Sequence, residues 1–156
     1  DFYGNVVFPH YDHTGVCGLE LKNADKGVFV RGSAKGLWTS TINLKAETLV
    51  ITESPIDGLS YFTLFPDLQK SGVVFASVSG RLRPHQIQLL SDLIKKLSQL
   101  QKIILAVDHD QGGEKIEKTI REGIKNSGAF FGDMLTHVPE NTGDDWNEVL
   151  KNREQK

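Results

Sequence analysis

The sequence predicts an α/β fold: a mainly parallel sheet flanked by helices on both faces, preceded by a small antiparallel β meander. Three observations predict it. Near-continuous apolar runs (TLVIT, VVFASV, KIILAV) alternate with amphipathic segments of helical length from Thr48 onward, the pattern of strands buried on both faces by crossover helices. Before that point the chain is a series of short extended runs broken by glycine. At 156 residues the chain is long enough to bury one sizeable core and short for two large domains.

The first runs are VVFPHYD, GVCGLELK, GVFVRG and GLWTS. Frequent glycine with alternating apolar residues favours hairpins over helices, so these runs predict the meander. We expect residues 1–45 to form a small β-rich subdomain and residues 46–156 the main domain. TLVIT at 48–52 is a β-branched strand, and residues 55–65 have helical spacing with Pro55 tolerated in the first turn. VVFASV at 73–78 is the next strand, and Pro84 opens a helix carrying Ile87, Leu90, Ile94 and Leu97 along one stripe. KIILAV at 102–107 is followed by a helix over 113–126. A weaker strand at 134–138 leads through the loop PENTGD to a short helix over 146–151.

Composition narrows the function classes. With 38% hydrophobic and 24% charged residues of both signs, the chain is a globular protein rather than a disordered, fibrous or membrane one. A net charge of −2 argues against a broad basic surface gripping nucleic acid through many phosphates, so a nucleic-acid partner requires help from metal ions or neighbouring domains. Cys17, the single cysteine, excludes an internal disulfide and any multi-thiolate site, and fits a reducing cytoplasm. No apolar run approaches the ~20 residues of a membrane span, and no signal-peptide pattern opens the chain. The chain begins without methionine, which we take as the mark of a piece of a longer polypeptide with further domains.

Ligands of parallel sheets bind beyond the carboxyl ends of the strands, so residues just after each strand carry the chemistry. Glu53 follows TLVIT, Asp108 and Asp110 follow KIILAV, and Asp144 and Asp145 follow the last strand and its loop. Carboxylates gathered in a small volume repel one another, and a hard divalent cation such as Mg²⁺ or Mn²⁺ neutralises them. Residues two apart in an extended segment share a side, so Asp108 and Asp110 can hold one ion together. Gly112 and Gly113 allow a tight turn into a helix whose N-terminal amides can face a phosphate. For Asp144 and Asp145 helix capping competes evenly with metal binding. Arg81, beyond VVFASV, is placed to bind a phosphate bidentately, against the alternative of a solvated loop cation. His10, Asp12 and His13 have too few neighbouring ligands for zinc, and Trp38, Trp146, Phe130 and Phe131 are expected in core or rim packing.

The segments TLVITESPIDGLSYF and KIILAVDHDQGGEKIEKTI, in that order, resemble the two acidic motifs of the Toprim family. VSGRLRPHQIQLL and GDDWNEVL are similar to the intervening glycine-bearing loop and the late acidic stretch of its bacterial and plasmid primase-type members. The resemblance covers residues 49–150, and VVFPHYDHTGVCGLELKN with KGLW is similar to the small region that precedes Toprim in such proteins. It implies a Rossmann-like Toprim fold and Mg²⁺- or Mn²⁺-dependent phosphodiester chemistry on nucleic acid. The implied protein is a primase-like nucleotidyltransferase acting with DNA and nucleoside triphosphates, in DNA replication or plasmid and mobile-element transfer. By the same resemblance Glu53, Asp108 and Asp110 are catalytic, the same three with Asp145 hold metal, and Gly80, Arg81 and Gly113 meet phosphate. His109 stands where primases commonly have glycine and Trp146 where they commonly have proline, and these 156 residues show none of the zinc-binding region expected upstream in a complete bacterial primase.

Four other readings compete. A Toprim nuclease of the OLD type would use water as its nucleophile. A topoisomerase-type domain needs a tyrosine that none of Tyr3, Tyr11 and Tyr61 marks out by context. A haloacid-dehalogenase-like phosphatase is disfavoured because Asp110 is followed by Gln111. The fourth is a non-catalytic nucleic-acid-binding or docking module.

Overall fold

The computed structural model describes residues 4–23, 27–70 and 72–154, with side chains for all of these except 69 and 70. Tyr3 therefore lies outside the described residues. Strands β1 (Val6–Asp12), β2 (Gly15–Lys22) and β3 (Gly27–Phe29) form an antiparallel sheet in that order. A second sheet of five strands contains β4 (Trp38–Thr39), β5 (Thr48–Thr52), β6 (Val73–Ser77), β7 (Lys102–Ala106) and β8 (Asp133–His137), in the spatial order β4-β6-β5-β7-β8. β4 runs antiparallel to β6, and every other pairing in this sheet is parallel.

The fourth glycine-broken run, GLWTS, leaves the meander. Its strand β4 borders the larger sheet, with Trp38 opposite Ser77. The alternation explains the change of partner: Trp38 points into the apolar layer that also holds Val50 and Phe75, while Leu37 pairs back to Tyr11 of β1. The large sheet and the meander are thereby hydrogen-bonded through two consecutive residues, Leu37 and Trp38.

Four helices among the described residues cover the large sheet. α2 (Pro84–Lys96) and α3 (Gln111–Ser127) pack on one face, where Leu90, Ile94, Ile120 and Ile124 meet Leu49, Ile51, Ile103 and Leu105. α1 (Pro55–Leu64) and α4 (Trp146–Glu154) take the other, where Tyr61, Leu64 and Trp146 meet Val50, Phe75 and Ile104. β5, central and covered on both sides, has all five residues buried, which accounts for its uninterrupted apolar sequence. β8 lies at the border, and its exposed and half-buried residues explain its weaker pattern.

Helix ends follow local chemistry. Ser54 caps α1, its hydroxyl accepting from the Asp57 N–H, with Pro55 just inside the first turn. α3 stops at Gly128, whose φ of 60° lies in the left-handed region that favours glycine. A 3-10 turn over Pro66–Lys70 separates α1 from β6, where the sequence pattern shows no element. None of the described helices is long and apolar enough to cross a membrane.

Trp146 joins α4 to the rest. Its ring stands edge-on to Tyr61 at a centroid distance of 4.8 Å and also meets Phe65 and His137, while the Tyr61 hydroxyl lies 2.7 Å from His137 Nδ1. Trp38 and Trp146 are buried and Phe130 packs against the core, as expected. Phe131 is 93% exposed, contrary to the expectation of packing: in the short link after Gly128 its neighbour Phe130 takes the place against the core. Removing the Trp146 ring should leave a large void: Trp146→Ala is expected to destabilise the chain by about 3–5 kcal/mol in urea titrations followed by circular dichroism.

Candidate metal centre

β5 and β7 are adjacent and parallel, with Thr52 level with Ala106. The residues that emerge from the sheet side by side are therefore Glu53 and those leading to Asp108. Glu53 Oε1 accepts a hydrogen bond from the Asp108 N–H at 3.1 Å, which ties the two strand ends together. Asp110, extended at φ −145°, is the N-cap of α3, and its Oδ1 accepts from the Gly113 N–H at 2.8 Å. A Cβ on Gly113 would collide with the Asp108 carbonyl oxygen and come within 3.0 Å of Glu53 Oε1. Glycine there lets α3 start directly against both acids, and its amide is already engaged by Asp110.

The Asp144–Asp145 loop is hooked onto the same edge. The His109 N–H donates to the Asp144 carbonyl at 3.1 Å, and the Gly143 N–H donates to the His109 carbonyl at 2.8 Å. Asp145 caps α4, accepting from the Glu148 N–H at 2.7 Å, and Asp144 Oδ2 accepts from the Asn141 side-chain amide at 3.0 Å. Capping and proximity to the other acids thus coexist at Asp145, whose charge acts on Glu53, Asp57 and Asp108.

Asp57 belongs to this group although it was not among the expected residues. It lies in the first turn of α1, is 4% exposed, and its Oδ2 accepts from the Ser54 hydroxyl at 2.6 Å. The sequence signal is Ser54-x-x-Asp57, a capping pattern immediately after a strand-end glutamate. Capping alone accounts for that pattern, so only the burial of Asp57 beside the other acids reveals it.

Burial and mutual repulsion act together here. Burial, then the charges of Glu53, Asp57, Asp145 and Asp110, push the Asp108 carboxyl up to about 8. Burial also raises Glu53; the Asp108 amide opposes the shift, while Asp110, Asp57 and Asp145 add to it. Asp57 is raised by burial, opposed by the Ser54 hydrogen bond and by Lys22, and raised further by Asp145. Asp108 Oδ1 is buried and has no hydrogen-bond partner. Among the described residues no three His, Cys, Asp or Glu side chains stand close enough to hold an ion as placed. The acids therefore share one electrostatic field without forming a closed ligand set. An all-oxygen donor group with a buried, unpartnered carboxylate oxygen fits a hard divalent cation.

Gly80 and Arg81 lie on the loop beside this edge. The Gly80 N–H donates to the Glu53 carbonyl at 2.8 Å, with φ at 70°. Arg81 is exposed, and its carbonyl accepts from Lys35 Nζ at 2.6 Å. His10, Asp12 and His13 diverge: His10 is wholly buried, Asp12 accepts from Thr14, and His13 lies 3.5 Å from Asp92. A cavity of about 530 Å³ opens between the β1–β2 turn and α2, lined by Tyr11, Leu37, Leu89 and Leu93. None of Glu53, Asp57, Asp108, Asp110 and Asp145 lines it.

A family model described as Toprim-like matches residues 50–150. No curated protein sequence matches the chain. Among solved structures, the chain is similar to a crystal structure of the Aquifex aeolicus primase containing its zinc-binding and RNA polymerase domains. Identity is 20%, with a TM-score of 0.59, covering 95% of this chain and 37% of that one. It is also similar to the primase fragment of the bacteriophage T7 primase-helicase protein, at 21% identity and a TM-score of 0.58, covering 94% and 58%. The RNA polymerase domain of Mycobacterium tuberculosis primase gives 16% identity and a TM-score of 0.54, covering 95% and 53%. The chain thus spans between 37% and 58% of these three structures, and at such identities the likeness establishes a shared fold.

Two outcomes test the site. The raised Asp108 carboxyl means that the folded chain binds more protons than the unfolded one between the ordinary aspartate range and about pH 8. Without divalent ions, stability should therefore fall as pH rises through that window. Asp108→Asn removes this contribution, so its Tm in EDTA should exceed that of the parent at pH 8 by more than at pH 5. Gly113→Ala should lower Tm at every pH, because its methyl group meets the Asp108 backbone.

Proposed function

Since the chain belongs to the Toprim-like family, we propose that it carries out divalent-metal-dependent phosphodiester chemistry on nucleic acid, as the catalytic domain of a primase-like nucleotidyltransferase. The observation that carries this reading is the buried, unpartnered Asp108 Oδ1 amid Glu53, Asp57, Asp110 and Asp145, at the carboxyl edge of a parallel sheet. The structural likeness to three primases supports the choice of reaction.

In this reading Asp108, Asp110, Asp145 and Glu53 hold Mg²⁺ or Mn²⁺. When bound, the ion stabilises charge on a phosphate undergoing in-line displacement. Glu53, with one oxygen held by the Asp108 amide and its carboxyl raised by burial, is suited to take or return the proton of an attacking hydroxyl. Asp110 keeps Oδ2 for a ligand while Oδ1 caps α3. Arg81 supplies an exposed guanidinium for a phosphate, Gly80 brings the backbone close beside it, and Gly113 leaves room for Glu53 and Asp108 by lacking a side chain. Asp57, hydrogen-bonded to Ser54, supports the field at Glu53. DNA and nucleoside triphosphates are the substrates, further domains of a longer polypeptide supply most of the grip on DNA, and residues 1–45 serve as a subdomain of the same unit. The acting compartment is the cytoplasm.

Glu53→Gln and Asp108→Asn should each reduce Mn²⁺-dependent primer synthesis on single-stranded DNA by at least about 10²-fold, with unchanged circular dichroism. Full activity in either variant would refute the assignment. Cleavage of an end-labelled oligonucleotide by the parent, without primer synthesis, would move the reaction to hydrolysis on the same carboxylates. Calorimetry supplies the binding arm: millimolar Mn²⁺ should bind the parent and not an Asp108→Ala, Asp110→Ala double variant that remains folded.

A further inference from the structure

The small sheet buries polar groups where a sheet of its size ordinarily buries apolar ones. His10 is 0% exposed and Glu20 6%. Glu20 Oε2 accepts from the Ser79 hydroxyl at 2.6 Å and lies 3.3 Å from His10 Nε2, and the same hydroxyl lies 3.2 Å from that nitrogen. His10 Nδ1 donates to the Gly36 carbonyl at 3.0 Å. Burial acts to raise the Glu20 carboxyl, but the His10 and Ser79 hydrogen bonds and the Lys22 charge outweigh it and hold Glu20 below the usual range. Glu20 is thus an anion aimed at a serine in the loop that follows β6 of the other sheet.

That serine is unusual. Ser79, with φ at 53°, is the one non-glycine residue with positive φ among the described residues. Backbone of this kind is disfavoured for a side chain bearing a Cβ and persists where surrounding contacts impose it. Both chain neighbours of Ser79 are hydrogen-bonded to the end of β5, and the Ser79 N–H donates to the Ser77 hydroxyl. The Val78 N–H donates to the Thr52 carbonyl and the Gly80 N–H to the Glu53 carbonyl, so the loop is stitched to the residues that present Glu53. Gln86, wholly buried, donates to the Val78 and Gly36 carbonyls and accepts from the Arg83 N–H, closing the far end. The Ser79 side chain itself is held by Glu20 and His10, both from the small sheet.

We infer that Glu20, backed by His10, is a positioning residue: by gripping the Ser79 hydroxyl it holds the left-handed turn that sets Gly80 against Glu53 and presents Arg81 to a phosphate at the carboxylate edge. The inference rests on the proposed function, since it assigns Arg81 a phosphate to meet. It makes the small sheet a working part of the site in addition to a structural annex. Without the grip, Ser79 relaxes toward ordinary negative φ, the Gly80–Glu53 hydrogen bond is lost, and Arg81 swings with the loop. The carboxylates, set by β5, β7 and α3, stay in place.

The test separates metal from phosphate, using Mn²⁺ alone and then inorganic pyrophosphate added to the Mn²⁺-loaded chain, both by calorimetry. Ser79→Ala and Glu20→Ala should keep Mn²⁺ affinity within about twofold and weaken pyrophosphate binding about tenfold, the effect of losing one charge-assisted contact. Glu20→Gln, whose amide oxygen still accepts from Ser79, should recover most of that loss, although a mere change of charge would not allow recovery. Because Ser79 acts through Arg81, the Ser79→Ala, Arg81→Ala pair should bind pyrophosphate no more weakly than Arg81→Ala alone. Additive losses, or pyrophosphate binding in Ser79→Ala equal to the parent despite a lowered Tm, would overturn the inference and leave the proposed function standing. Absence of Mn²⁺ binding in the parent would overturn the proposed function and this inference with it. If Glu20→Ala does not fold, Ser79→Ala, which removes a single hydroxyl, decides the question.

Discussion

Asp108 is held where its charge is least welcome, and much of the molecule is arranged around that fact. Its backbone is clamped by Glu53 across two parallel strands, its Oδ1 is buried without a partner, and the charges of four other acids act on it. An arrangement that raises a carboxyl this far disfavours its charged form, a perturbation of the kind that clusters at functional sites. The same crowding dictates the glycine that opens α3: at Gly113 no side chain fits between the Asp108 carbonyl and Glu53. Sheet register, helix start and electrostatics therefore express a single constraint.

The two apolar layers divide the labour of holding that edge. The layer beneath α2 and α3 is almost purely aliphatic and anchors the helix capped by Asp110. The opposite layer is aromatic, and Trp146, Tyr61 and Phe65 lock α4 onto α1. That contact fixes the N-terminus of α4, and with it Asp145, close to the first turn of α1 that carries Asp57. Both helices present acids at their positive ends, where the helix dipole favours negative charge, so the scaffold offsets part of the repulsion that the cluster creates.

The small N-terminal sheet joins this system by hydrogen bonds as well as by apolar packing. Leu37 and Trp38 connect it to the border of the large sheet, Lys35 reaches the Arg81 carbonyl, and Glu20 with His10 grips Ser79. These polar contacts converge on the loop between β6 and α2, which carries Arg81 and Arg83 and whose Gly80 N–H donates to the Glu53 carbonyl.

Much of the fold was legible in the order of residues. The runs TLVIT, VVFASV and KIILAV became β5, β6 and β7, because a strand covered on both faces has no polar side to disguise it. Glu53, Asp108 and Asp110 could be named because the carboxyl ends of parallel strands share one edge whatever the details of packing. Asp57 could not, since in sequence it is an ordinary capping partner of Ser54. Nor could the fate of GLWTS, since a short apolar strand suits either sheet until the inner face of each is filled. The pairing of His10, Glu20 and Ser79 was equally hidden, as these residues lie 10 to 69 positions apart and alternate with apolar neighbours. By itself, then, the sequence determined which segments are strands and helices and which acids follow the ends of β5 and β7, because those depend on local periodicity and on parallel topology. Tertiary structure alone decided how deeply each acid is buried, what its second oxygen meets, and which loop the small sheet holds, because burial and long-range hydrogen bonds exist only once the layers close.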